Sequence, residues 1–198
     1  MPTNARERLL VTAEELFYAQ GTRATGVEQI LAESDVGRAS FYRHFAGKDD
    51  LIVAVLERRR EYWRDVFVPK VRAMGGHPLD VFDLLAARLE ETGYRGCAFL
   101  NTLVEIPDPQ HPAHRCAAEH KEDQRRLFSE LLAEHGYADD RGRLSHRLLL
   151  LYDGASATGL RERSPQAAND AREVAELLLA AAGRTEGAVL PASTPGRR

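Results

Sequence analysis

Cysteine is nearly absent from this chain: there are 2, Cys97 and Cys116. So few cannot frame a disulfide-stapled fold, and they fit reduced thiols in a cytosol, so a cytoplasmic protein is expected. No apolar run approaches the roughly 18 residues of a membrane span, so no membrane partner is expected. The N-terminus, MPTNARERLL, lacks the apolar stretch of a secretory signal. Strand-like alternation is missing throughout, and Pro and Gly are sparse through residues 1–64. No serine-nucleophile elbow, P-loop, HExxH or dinucleotide fingerprint occurs, so no catalytic residue, cofactor or enzymatic role is assigned. Charge of one sign is lacking too: 27 Lys and Arg face 30 Asp and Glu, a formal net charge of −3. Such a chain can bind nucleic acid only through a local basic surface.

What is present is helical spacing of apolar residues. The 198 residues are 43% hydrophobic and 29% charged, ordinary for a globular protein and enough for one domain or two small ones. Leu9, Ala13, Leu16 and Phe17 form one stripe, ended by Gly21. Val27, Ile30 and Leu31 form a short second one. Leu51, Val55 and Leu56 lead a longer helix predicted to run to about Val71. After Gly75, Gly76 and Pro78, further helices are predicted from Val81 toward Gly93, Phe99 to Glu105, Pro112 to His135, Leu144 to Leu160 and Ala167 to Ala182. The pattern predicts an all-α fold of about nine helices. Residues 184–198 hold little that could pack and read as a disordered tail.

The stretch Thr25 to Lys48, TGVEQILAESDVGRASFYRHFAGK, carries the chemistry. Thr25 and Glu28 have capping-box spacing, which predicts a helix start; that helix can run to about Ser34. Asp35 tolerates the left-handed conformation of a tight turn, and Gly37 is an acceptable N-cap for the next helix. Two short helices so joined are a helix-turn-helix, whose second helix can enter a major groove. Residues 1–64 hold ten Lys/Arg and ten Asp/Glu, yet Val36 to Lys48 holds Arg38, Arg43, Lys48 and His44 and no acid. Local basicity is what phosphate attraction needs. Arg38, Ala39 and Ser40 make the first turn, the part that reaches base edges; Arg38 could pair with guanine, and Ser40 with several bases or a phosphate. The polar tips of Tyr42 and His44 suit phosphate oxygens. Phe41 and Phe45, four apart, share a face that packs inward. On spacing and charge alone, an amphipathic pair with a solvated basic face stands beside the DNA-binding reading.

The run ARERLLVTAEELFYAQGTRATGVEQILAESDVGRASFYRHFAGKDDLIVAVLERR resembles the N-terminal domain of the tetracycline-repressor (TetR) family. The most specific element is Phe41-Tyr42-Arg43-His44-Phe45-Ala46-Gly47-Lys48-Asp49-Asp50-Leu51; the approach from Gly21 to Thr25 also matches. The resemblance implies a three-helix DNA-binding domain, here residues 1–48. A helical effector-binding and dimerisation domain would follow at residues 49–183. It places Arg38, Ala39 and Ser40 at base-reading positions on double-stranded DNA, and Thr25, Tyr42, His44 and Lys48 at backbone-contacting ones. Asp35 and Gly37 depart from the family's usual turn glycine and capping serine.

The second half is similar more loosely, through Arg95 to Asn101, Pro107-Asp108-Pro109 and Tyr152 to Ala155. An effector cavity there would be lined by Phe82, Leu85, Leu89, Phe99, Leu103, Leu127, Leu131 and Tyr152, with Cys97, Asn101 and Asp153 as polar contacts. Plain core packing is the other reading of each. Gly154, Ala155, Ala157, Thr158 and Gly159 form a small-residue stretch. With Ala171, Val174, Ala175, Leu178 and Ala181 it suggests a four-helix homodimer interface, centred on Gly154, Ala155, Thr158, Val174, Leu178 and Ala181. Intramolecular packing is the alternative. His111, His114, Cys116 and His120 cluster within ten residues, but Pro112 and Arg115 intrude and no metal site is assigned. The expected function is a homodimeric repressor released from a palindromic operator by a small-molecule effector. A helical interaction module, or an activator of the same fold without an effector, is the alternative.

Overall fold

A computed structural model describes residues 4–183; the expected disordered tail, 184–198, lies outside the described residues. Helix α1 (Ala5–Gln20) starts at Asn4, whose side chain accepts a hydrogen bond from the Arg6 amide. It stops at Gly21, whose φ of +89° a side chain would strain. Helices α2 (Val27–Ser34) and α3 (Arg38–His44) follow. Helix α4 (Lys48–Tyr62) passes through a π-helical turn (Trp63–Phe67) into α5 (Val68–Met74) without a break. That continuity is predicted, although Pro69 lies inside it. Proline lacks an N–H and its ring crowds the carbonyl four residues back. The widened turn just upstream accommodates both defects.

The remaining helices are α6 (Asp80–Glu91), α7 (Ala98–Glu105), α8 (Pro112–Glu134), α9 (Arg143–Glu162) and α10 (Gln166–Ala181), with a 3-10 turn at Asp140–Gly142. Counting α4, the π turn and α5 as one rod, the described residues hold nine, and no strand. The fold is all-α, as the periodicity predicts.

The chain divides into two compact units. Among the described residues, the first is 4–68 and 95–122; the second is 69–94 and 123–183. Packing therefore groups α7 and the first half of α8 with the N-terminal helices, whereas the 1–48 and 49–183 division follows expected function. In the first unit, Leu9, Leu10, Ala13 and Leu16 of α1 meet Ile30, Leu31, Val36, Phe41, Phe45, Leu51 and Val55 in one core. The other side of α4 presents Ile52 and Leu56 to a second cluster with Phe99, Ala113, Cys116 and Ala117.

In the second unit, α10 packs on α9 and α6. The rings of Phe82, Phe128 and Tyr152 lie 5.8 to 6.5 Å apart, centroid to centroid. Gly159 brings α9 close to its neighbours: a Cβ there would stand 2.7 Å from the Leu89 side chain and 3.3 Å from the Ser164 carbonyl. Leu89 can yield but the carbonyl is backbone. Gly159→Ala is expected to destabilise the protein by about 1–3 kcal/mol through overpacking, lowering the melting temperature by several degrees in a circular-dichroism melt.

Candidate nucleic-acid interface

Helix α3 is short, and its two sides have opposite fates. Phe41 and Phe45 are buried, their rings 5.9 Å apart, and the Arg6 guanidinium covers Phe45 at 5.5 Å. Arg38, Ala39, Tyr42, Arg43 and His44 are exposed, and Ser40 is half-buried. Tyr42 is the clearest case, a large aromatic ring left 53% exposed. Gly37 caps α3 and Lys48 is the first residue of α4, both as expected. Arg43 and His44 fall in the last turn of α3, where the helix dipole favours cations. The α3–α4 link is pinned by Asp50, whose carboxylate accepts from the Ala46 amide at 3.1 Å.

The turn before α3 is built around Asp35, with φ +51° and ψ +44°. This is the left-handed conformation expected of it, taken without a glycine. The Arg8 guanidinium donates to the Asp35 carbonyl at 3.0 Å, tying the turn to α1.

One expectation requires correction. Thr25 does not form a capping box with Glu28: Gly26 is the N-cap of α2, with no side-chain cap. Thr25 is instead 0% exposed, and its hydroxyl donates to the Gly21 carbonyl at 2.8 Å. The side chain placed at a phosphate-contacting position is thus turned inward, holding the α1–α2 loop closed. Glu28, freed from capping, reaches across the turn to the Arg38 guanidinium at 2.5 Å. The pair links residues ten apart in sequence, which helical spacing alone does not reveal.

The other expected site residues separate by unit. Phe82, Leu85, Leu89, Leu127, Leu131 and Tyr152 are buried core residues of the second unit, where Asp153 is half-buried. Phe99, half-buried Cys97 and Leu103, and exposed Asn101 belong to the first. Helical periodicity marks a buried face without distinguishing core from cavity wall. Asn101 borders a small cavity of about 30 Å³ between α1, α4 and α7, floored by Phe17, Ile52, Val55 and Leu56. That is room for a water or two rather than an organic ligand.

The expected dimer residues also divide. Ala155 is buried within its own unit. Gly154, Val174 and Ala181 are exposed, while Thr158 and Leu178 are half-buried. Beside them stand exposed apolar side chains that helical spacing did not single out: Leu150 and Leu177, 58% and 70% exposed, with Leu160.

The histidine and cysteine cluster has four separate engagements. His111 faces Asp49 at 3.3 Å, His114 meets the Ile106 carbonyl at 2.8 Å, and Cys116 donates to Glu57 at 3.3 Å. His120 stacks on Phe99, centroids 3.7 Å apart. Among the described residues, no group of three or more His, Cys, Asp or Glu could hold a metal ion.

A bi-helical motif of this geometry, with an exposed basic face on its second helix, defines a helix-turn-helix DNA-binding transcriptional regulator. Comparison with known proteins agrees. The family model for bacterial regulatory proteins of the tetR family matches residues 9–55. The crystal structure of SCO4454, a TetR-family transcriptional regulator from Streptomyces coelicolor, is 37% identical. That match covers 89% of this chain and 95% of that one, with a TM-score of 0.78. The transcriptional regulator LmrA of Bacillus subtilis is 39% identical over 31% of this chain and 33% of its own length. The transcriptional repressor NemR of Escherichia coli is 38% identical over 28% of each. The chain belongs to the TetR family of transcriptional regulators. It spans about half or less of the length of the curated relatives it matches.

Two outcomes follow from the local geometry. Asp35→Gly is expected to match or exceed the wild-type melting temperature, whereas Asp35→Val should cost about 1–2 kcal/mol, because a β-branched residue resists left-handed backbone. Burial, with Glu57 beside it, pushes the Cys116 thiol up to about 12, so no nucleophilic thiolate forms near neutrality. Iodoacetamide at pH 8 should therefore alkylate Cys97 and leave Cys116 of the folded protein unmodified, read by peptide mass spectrometry.

Proposed function

We propose that this protein is a homodimeric repressor that binds a palindromic operator in the cytoplasm and leaves it when a small molecule binds. The observation carrying the DNA-binding half is the division of α3. Phe41, with Phe45 just past the helix end, anchors it in the core, and Arg38, Tyr42 and His44 are left exposed to solvent. Arg38 and Ser40, with Ala39 between them, would meet base edges. Tyr42, His44 and Lys48 would meet phosphates.

Arg38 must leave Glu28 to reach a base. Both side chains are largely exposed, so the pair is worth about 0–1 kcal/mol and yields readily. Glu28 also brings a negative charge toward the phosphates. Removing it should help binding by up to about fivefold.

Dimerisation is supported by the exposed apolar residues of α9 and α10, namely Leu150, Leu160, Val174 and Leu177. Large apolar side chains grouped on two helices mark an association surface. Paired recognition helices would then address half-sites about one helical turn apart. The repressor role is supported by likeness to a repressor, and effector release by membership of the family. An effector would act only through different affinities for the two dimer states.

The test is a fluorescence-anisotropy titration with duplex DNA from upstream of the protein's own gene, at two salt concentrations. Arg38→Ala should weaken binding by about 1–3 kcal/mol and relax the preference at one base pair. Tyr42→Phe should weaken it more evenly across sequences. Glu28→Gln should tighten it. Wild-type behaviour from Arg38→Ala would remove the base-reading assignment. For the dimer, Leu177→Asp with Leu150→Asp should shift the sedimentation profile toward monomer; an unshifted dimer would place the interface elsewhere.

A further inference from the structure

The α1–α2 loop, residues 21–26, sets the angle at which the helix-turn-helix leaves α1. It is held from two sides. From inside, Thr25 donates to the Gly21 carbonyl at 2.8 Å. From outside comes a group that belongs to neither helix of the motif: the carboxylate of Glu105, the last residue of α7. Its Oε2 accepts from the Thr22 hydroxyl at 2.7 Å and from the Arg23 amide at 2.8 Å. Its Oε1 stands 2.7 Å from where a Cβ on residue 21 would lie. Gly21 is favoured by its φ of +89°, and any side chain there would also push the Glu105 carboxylate aside.

The residues just before α7 also grip the last turn of α1. The Tyr18 hydroxyl donates to the Gly96 carbonyl at 3.3 Å, and the Arg95 guanidinium donates to the Tyr18 carbonyl at 3.4 Å. Arg59 lies over the Tyr18 ring at 4.5 Å. Residues 95–105 thus bind the end of α1 and the loop after it at two points, and Glu105 is the point nearest α2. A carboxylate accepting from two donors makes charge-assisted bonds, about twice as strong as neutral ones.

We propose that Glu105 is a positioning residue for DNA recognition: it clamps the α1–α2 loop so that α2 and α3 stay in one orientation. It touches no base and no phosphate. This role rests on the DNA-binding reading above. Losing the clamp leaves the recognition residues intact but lets their platform move, so affinity falls while sequence preference stays the same.

The test compares Glu105→Ala, Glu105→Gln, Thr22→Val and the Glu105→Ala/Thr22→Val pair with wild type. Two readouts are used: anisotropy titration with the operator duplex and a panel of its single-base variants, and hydrogen–deuterium exchange of residues 21–36 without DNA. Glu105→Ala should lose about tenfold in affinity on every duplex of the panel. It should speed exchange over residues 21–36 and not over α9 and α10. Glu105→Gln, which keeps an acceptor oxygen, should recover part of both effects. The double variant should be little worse than Glu105→Ala, because both remove the same bond. Wild-type affinity and exchange in Glu105→Ala would overturn the proposal, as would additive losses in the double variant. Wild-type protein that binds no duplex at all would instead overturn the DNA-binding reading. The exchange data would then still judge whether Glu105 holds the loop.

Discussion

Burying Phe41 of a seven-residue helix, and Phe45 at its C-cap, obliges the rest of the helix to face water. Everything proposed for this protein at DNA depends on that constraint. With two turns and two large rings, α3 has no freedom to roll: rotating it would expose an aromatic core residue at a cost of about 2–3 kcal/mol each. Arg38, Tyr42 and His44 are therefore presented in one fixed array. The neighbouring elements reinforce it. Arg8 ties the turn carbonyl to α1, Asp50 ties the end of α3 to α4, and Thr25 closes the loop before α2.

Electrostatics here is local rather than global. A chain of formal charge −3 can still present a basic helix, because Val36 to Lys48 contains no acid. The acid that does approach, Glu28, arrives from α2 across the turn. In the unbound protein it holds Arg38 in an exposed, weak pair. Such a pair orders a long side chain without committing it. Elsewhere carboxylates act structurally: Glu57 accepts a hydrogen bond from the Cys116 thiol, and Glu105 braces a loop.

The small-residue stretch of α9 serves two directions at once. Ala155 and Gly159 face inward, where Gly159 lets α9 approach Leu89. Gly154 faces out, one turn along α9 from exposed Leu150. Read along the sequence the stretch is one feature. In the fold it is two, since helical rotation of about 100° per residue sends neighbours to different faces. The proposed effector cavity met the same difficulty. Phe82, Leu85, Leu89 and Leu131 have the spacing of a cavity wall and of a core alike, and in the structure all four are buried.

The sequence by itself determined the helices, because the apolar period of 3.6 is a local property. It also determined the helix-turn-helix, because Asp35, Gly37 and the Phe41–Phe45 spacing act within a dozen residues. Even the helix running through Pro69 was legible from its stripe. Only the tertiary structure decided which partner each polar side chain finds. Thr25 has the spacing of a cap, yet it is buried and bonded to Gly21, because Gly26 supplies the extended backbone a cap needs. Glu28 and Arg38 are joined by the turn between them, and Glu105 reaches Thr22 across 83 positions of sequence. Long-range polar pairs leave no period in a sequence. They are set by where packed helices happen to bring a carboxylate and a donor together, and on that meeting rests the proposed aim of the recognition helix.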